Sequence, residues 1–327
     1  MTGKCSNPDC AAPISCHEGK EKHTECEFWV KSNAPQSKTK STPKKEKKSD
    51  LPWTGEALTI DELPKVTYRN TPLIIGVIGK ADAGKTTYLA MLFTLLLRGI
   101  KLKEFDFCGT KTIIAWDELY QKLRVQQEGV TFPNPTPAQY IRLLHLALRN
   151  QEKKLKDILI SDASGEVFSI WSKNRNDANA ENARWVYEHS NAFILFIDCD
   201  DLINRKAQAK TDIVDIAQML KHDLRNRPVI AVWSKSDKKE EVHPVIREKL
   251  QGELKELFEN YKEIDISNFS SDDPDVLVHK NNITVLDWLL SRVFALSKSE
   301  ILIENDSTVN NTDTIKIKEI GRASCRE

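Results

Sequence analysis

Gly79-Lys80-Ala81-Asp82-Ala83-Gly84-Lys85-Thr86 is a complete G-x-x-x-x-G-K-[ST] run, and its flanks decide how it is read. Before it lies Leu73-Ile74-Ile75-Gly76-Val77-Ile78, short and apolar as a buried strand is. After it, Tyr88 to Leu97 has the length and apolar content of a buried helix. Strand, glycine-bearing loop and helix in this order predict a loop that cradles phosphate. Gly79 and Gly84 let the backbone curl until its N–H groups point inward at an anion, and the positive end of the following helix adds to the attraction. Lys85 can reach the outer phosphates, and Thr86 can place a hydroxyl on Mg²⁺. Asp82, Ala83 and Thr87 complete the expected cradle.

Further along, Ile158-Leu159-Ile160-Ser161-Asp162-Ala163-Ser164-Gly165 is an apolar strand ending in D-x-x-G. Beside a phosphate loop, Asp162 is placed to hold magnesium and Gly165 to bring a backbone N–H to the γ-phosphate. Val229-Ile230-Ala231-Val232-Trp233-Ser234-Lys235-Ser236-Asp237 is a third apolar strand, ending in S-K-x-D. A carboxylate there can accept two hydrogen bonds from the guanine edge, which adenine cannot supply. Sites built on such bonds reject the analogue lacking them by ~10⁴-fold or more.

The 327 residues carry 48 basic and 48 acidic side chains, so no global charge draws the chain to nucleic acid or anionic membrane. The longest apolar run, within the helix after the phosphate loop, is too short to span a bilayer. Met1-Thr2-Gly3-Lys4-Cys5 does not open a secretory signal, so a cytoplasmic location is expected, and cysteines there argue against a disulfide framework. Residues 1–30 form a Cys-rich segment, and 31–71 read as a flexible Lys/Ser/Pro linker. The main domain spans 72–298, followed by a tail over 299–327. Residues 319–327 resemble translated sequencing-adapter DNA and carry no weight, Cys325 included. Strands at 141–149 and 157–161 are expected to pair as a hairpin, with strands at 192–197, 229–233 and 264–267 following. Helices are expected over Thr112–Glu128, up to about Ser190, and over Asp212–Leu224, Val245–Tyr261 and Thr284–Leu296. This alternation predicts a three-layer α/β fold, a mostly parallel sheet with helices on both faces.

The ordered set of Lys85/Thr86, Asp162/Gly165 and Lys235/Asp237 resembles a P-loop GTPase of the translation-factor and Ras-like (TRAFAC) class over residues 72–298. More narrowly, I-G-V-I-G-K-A-D-A-G-K-T-T-Y-L-A-M-L with D-A-S-G-E-V-F and the Cys cluster is similar to the bacterial double-GTPase families. That resemblance implies GTP/GDP and Mg²⁺ as ligands, a GTP-hydrolysing switch, and a second GTPase or effector as partner in a bacterial conflict or signalling system. It implies a threonine that closes on magnesium, for which Thr136 and its rival Thr131 are the candidates. It also implies a base-contacting loop at Ser267-Asn268. Glu166 stands where Ras-like enzymes carry the glutamine that orients water. Glu166 can take that role, or hydrolysis is slow and the chain is a nucleotide-binding interaction module. An ATPase is disfavoured by Lys235 and Asp237, and a membrane-remodelling GTPase by the absence of a membrane segment. Ser234 replaces the usual Asn or Thr, its hydroxyl being expected to tie the base loop to the phosphate loop. Asp82 lies where cation-dependent relatives carry a potassium-holding Asn.

Cys5, Cys10, Cys16 and Cys26 could supply four thiolates to a zinc ion, with His17 and His23 as substitutes. Thirty residues have too little core to fold unaided, which metal would remedy.

Overall fold

The computed structural model describes residues 3–11, 14, 16–22, 25–31, 55–67, 70–122, 125–126, 129–130, 141–268, 276–299, 301–303 and 317–319. Thr131, Thr136 and His23 lie outside them. The chain divides into two compact units, Met1–Asp50 and Leu51–Glu327.

In the first unit, Gly3–Cys5 pairs antiparallel with Trp29–Lys31, setting Cys5 opposite Trp29. Cys26 is buried, and the Cys10 Sγ accepts a hydrogen bond from the His17 backbone N–H at 3.4 Å. The described residues do not show the four-thiolate zinc site expected of Cys5, Cys10, Cys16 and Cys26. Among the described residues, no three His, Cys, Asp or Glu side chains converge as metal ligands.

The second unit is built on seven strands: β1 (Leu73–Ile78), β2 (Phe105–Gly109), β3 (Arg142–Asn150), β4 (Leu155–Asp162), β5 (Ala192–Asp198), β6 (Val229–Ser234) and β7 (Tyr261–Ile266). Their order across the sheet is β7-β6-β5-β1-β4-β3-β2. The expected β3–β4 hairpin is present, Arg142 opposing Asp162 and Arg149 opposing Leu155. β2 runs antiparallel to β3, so β3 alone points against the other six.

Among the described residues, eight α-helices accompany the sheet: α1 (Lys85–Leu97), α2 (Ile113–Lys122), α3 (Gly165–Lys173), α4 (Glu181–His189), α5 (Cys199–Arg205), α6 (Ala207–Lys221), α7 (Pro244–Leu257) and α8 (Val276–Ser299). The central strand β1 shows why there are three layers. Its successive side chains point to opposite faces. Ile75 and Val77 join a core with α1, α2 and α8, whereas Ile74 and Ile78 join a second core with α3, α4, α6 and α7.

Several expected boundaries move. The helix expected over Thr112–Glu128 stops at Lys122, and Val125–Gln126 pairs with Gly129–Val130 instead, as β-branched residues beside a glycine favour. The helical stretch to Ser190 is two helices. Asp177 caps the short turn before α4 by accepting the Asn179 N–H at 2.8 Å. Residues 55–67, expected within the flexible linker, pack onto the domain. Leu58 exchanges two backbone hydrogen bonds of 2.9 Å with Leu143 on β3, and its side chain is buried with Val66. Burying those two apolar side chains and pairing the backbone outweighs the entropy of ordering this stretch.

α2, beside β2, is clamped by one side chain. Trp116 stacks on Phe93 of α1 with ring centroids 4.7 Å apart, and its Nε1–H donates to the His145 carbonyl at 3.0 Å. Trp116→Ala is expected to destabilise the unit by about 3–5 kcal/mol, read as a drop in the denaturant midpoint. A loss below about 1 kcal/mol would show that α2 repacks freely.

Candidate functional site

The site forms at the C-terminal ends of β1, β4, β5, β6 and β7. Chain leaving a buried strand there must turn, and the turns converge. Between β1 and α1, Asp82 (φ 59°) and Gly84 (φ 80°) adopt left-handed backbone, which Gly tolerates freely and Asp better than most residues. Lys85 opens α1 and is buried. Its Nζ donates to the carbonyls of Gly79 (3.1 Å) and Lys80 (2.6 Å). Burial pushes its ammonium down to about 8, opposed in part by the carboxylates of Asp162 and Asp82.

The Thr86 hydroxyl donates to Asp162 Oδ1 at 3.4 Å, bringing together two oxygen groups of the kind magnesium takes. Asp162 ends β4 and is buried. Three residues on, Gly165 begins α3 directly against the phosphate loop. A Cβ at Gly165 would lie 2.1 Å from the Ala81 backbone nitrogen and 2.2 Å from the Lys80 carbonyl carbon. Ser164 caps α3, its Oγ accepting the Glu166 N–H at 3.4 Å, and the Glu166 side chain is exposed at the rim. Lys80 is held by Asp212 (2.6 Å) and Asp201 (3.7 Å), both of which also bind Arg205.

At the other end, Ser234 closes β6. Its hydroxyl donates to the Ile197 carbonyl on β5 at 3.1 Å, not to the phosphate loop as expected. It meets that loop by packing alone: a Cβ on Gly84 would lie 3.6 Å from the Ser234 Cβ. The reason is register: Ser234 opposes Asp198 in the β5–β6 ladder, which brings Oγ beside the carbonyl one residue earlier. Lys235, left-handed at φ 52°, reaches Asp198 (2.8 Å) and Asp200 (3.4 Å). Burial lowers the Lys235 ammonium's pKa, but these two carboxylates outweigh it and hold the group above its ordinary value. Burial holds the Asp198 carboxyl above the usual carboxylate range despite that ammonium. The Ser267 hydroxyl donates to Asp237 Oδ1 at 2.6 Å, fixing the carboxylate.

One cavity of about 530 Å³ joins these ends, within the usual range for small-molecule sites. Asp82, Ala83, Gly84, Lys85, Thr86 and Thr87 line it from the phosphate loop, and Gly165 and Glu166 from the start of α3. Ser234, Lys235, Asp237, Ser267 and Asn268 line the far end. Gly79 and Asp162 stand just behind, touching Lys85 and Thr86 respectively. Sequence reasoning missed Phe196, which lines the cavity, and Asp198 and Asp200, which hold Lys235. Their only signal was a pair of acids at the end of an apolar strand, Asp198-Cys199-Asp200.

No helix among the described residues is long and apolar enough to cross a membrane. No curated protein matches the sequence significantly. Among solved structures, the crystal structure of a mutation variant of SsGBP is similar at 16% identity and TM-score 0.37. That match covers 73% of this chain and 59% of that one, so this chain spans less than two thirds of its length. The profile of the Double-GTPase 2 family matches residues 73–289, the stretch holding every strand of the seven-stranded sheet and all the cavity-lining residues. The chain belongs to the Double-GTPase 2 family.

Proposed function

We propose that this chain is a GTP-binding and GTP-hydrolysing switch that works with a second GTPase or effector. The observation that carries the reading is the continuous cavity running from Lys85 and Thr86 to Asp237 and Ser267. Its lining suits a nucleotide lying with phosphates on the α1 N-terminus and base at the Asp237 carboxylate. Lys85 would neutralise charge on the outer phosphates. Thr86 and Asp162 are the residues that would hold Mg²⁺, which supplies further charge neutralisation across the phosphates when bound. Gly165, packed on Lys80 and Ala81, is placed so that arrival or loss of a γ-phosphate moves the start of α3. Glu166 at the rim is the residue for orienting water.

No arginine is among the described residues lining the cavity. An arginine donated by the partner would raise the rate by ~10³–10⁵. That, with Glu166 in place of a glutamine, also favours a second reading, in which the lone chain binds nucleotide and scarcely hydrolyses it. The bacterial conflict or signalling role follows the family resemblance.

Calorimetry of the full chain with GTP, GDP and ATP in Mg²⁺ tests the reading. GTP and GDP are expected to bind and ATP to be excluded. Asp237→Ala is expected to weaken GDP by ~10²-fold or more, the loss of hydrogen bonds to a charged acceptor. ATP binding as tight as GTP, indifferent to Asp237, would sink the guanine assignment.

A further inference from the structure

We infer that the turn between α1 and β2, Leu97 to Lys103, docks this protein on an anionic lipid surface. The inference is independent of the nucleotide reading. It concerns the end of the domain opposite the cavity: α1 opens at the phosphate loop, and its 13 residues carry the chain about 20 Å to this turn. The overall balance of 48 basic and 48 acidic side chains hides what is local to it.

The turn is held at both ends and keeps two apolar side chains outward. Arg98 closes α1, and Gly99 follows in left-handed backbone at φ 81°. The Gly99 N–H donates to the Leu96 carbonyl and the Ile100 N–H to the Leu95 carbonyl, each at 3.1 Å. In such a closure the residue after the glycine commonly packs back on the last helical turn. Here Ile100 stays 46% exposed and Leu97 58%. A Cβ on Gly99 would meet nothing within 4 Å, so the tip between them stands clear. Leu102 then turns inward and is buried, and the Lys103 N–H donates to Asp287 Oδ1 on α8 at 2.9 Å. Backbone bonds on both sides keep the turn from folding Leu97 and Ile100 away from water.

Cations surround the two. Arg98, Lys101 and Lys103 are exposed in and beside the turn, with exposed Glu104 following them. Phe105, which opens β2, opposes Asn150 at the end of β3, so the β3–β4 turn with exposed Lys153 and Lys154 lies alongside. Glu152 of that turn holds Lys154 at 2.9 Å, and Asp106 is answered by Arg149 directly opposite. Lys156 adds its ammonium over the Phe294 ring that packs on Phe105. Apolar tips with cations at their base match an anionic bilayer interface. The tips enter at the boundary of headgroups and acyl chains, and the ammonium and guanidinium groups meet lipid phosphates and carboxylates. The convex tip favours a soft lipid surface over an acidic protein, which would need a pocket for each aliphatic side chain.

The test is co-sedimentation of the full chain with phosphatidylcholine vesicles, with and without about 30% phosphatidylserine. The protein is expected to bind the phosphatidylserine vesicles and to leave the neutral ones in the supernatant. The double variant Lys101→Glu, Lys103→Glu is expected to weaken that binding by about tenfold or more, through the charge it reverses. The double variant Leu97→Ser, Ile100→Ser leaves the charge unchanged and is expected to weaken it by about fivefold or more, through the apolar area no longer inserted. All four side chains are exposed, so both variants are expected to keep the wild-type melting temperature, which shows that the fold is intact. Binding to neither vesicle, or equal binding to both, overturns the inference. Binding that survives both double variants within about twofold also overturns it, and would assign the lipid contact to another cationic stretch such as Lys44-Lys45-Glu46-Lys47-Lys48.

Discussion

Lys85→Met is expected to abolish nucleotide binding and yet raise the melting temperature of the nucleotide-free protein. The two effects have one cause. Burial holds the Lys85 ammonium at about 8, against an ordinary 10.5. A lysine whose folded-state value is depressed costs folding whenever the unfolded chain is protonated more readily than the folded one. Below about 8 both states are protonated and the full cost is present. Between about 8 and 10.5 the folded chain sheds the proton first, so wild-type stability rises with pH across that window. Methionine fills similar volume without the charge and removes up to about 3 kcal/mol of that cost at neutral pH. The lost hydrogen bonds to the Gly79 and Lys80 carbonyls offset part of the gain. Melting curves without nucleotide at pH 7 and pH 10 check this. The variant is expected to lead by several degrees at pH 7 and to lose most of that lead at pH 10. A variant less stable than wild type at pH 7 would show that Lys85 is a structural residue rather than one held at a cost for phosphate.

Gly165→Ala is expected to cut GTP hydrolysis by ~10²-fold, more than it weakens GDP, because a shift of about 1 Å in a positioned group is enough for such a loss. A Cβ there would sit 2.1 Å from the Ala81 nitrogen and 2.5 Å from the Lys80 carbonyl oxygen. These are backbone atoms of the phosphate loop and cannot rotate aside. Either that loop or the first turn of α3, with Glu166, must move. Single-turnover hydrolysis beside GDP calorimetry reads the two losses separately. Unchanged hydrolysis would remove Gly165 from the switch.

How much was legible follows the range of the interactions involved. The phosphate loop, D-x-x-G and S-K-x-D were readable because each is a strand end and the turn after it, set by residues adjacent in sequence. The β3–β4 hairpin was readable for the same reason: two apolar runs separated by Asn150-Gln151-Glu152-Lys153-Lys154 have a short turn to close. The boundaries of α2 and α7 were not, because apolar periodicity runs on past the point where tertiary pairing takes over. Tyr261, expected in a helix, opens β7 opposite Val229 of β6. Leu58 and Val66 were hidden in a polar stretch whose composition alone reads as linker.

The sequence by itself determined that a mostly parallel sheet carries a phosphate loop, since strands apolar on both faces can be satisfied only between helix layers. Only the tertiary structure decided which side chains share the cavity. It set Asp198 against Lys235, turned the Ser234 hydroxyl to Ile197, and brought Asn282 to Asn268. Those pairings join different strands and helices, and their distances depend on strand order and helix packing. Local backbone preferences act over a few residues and leave such distances open until the sheet is assembled.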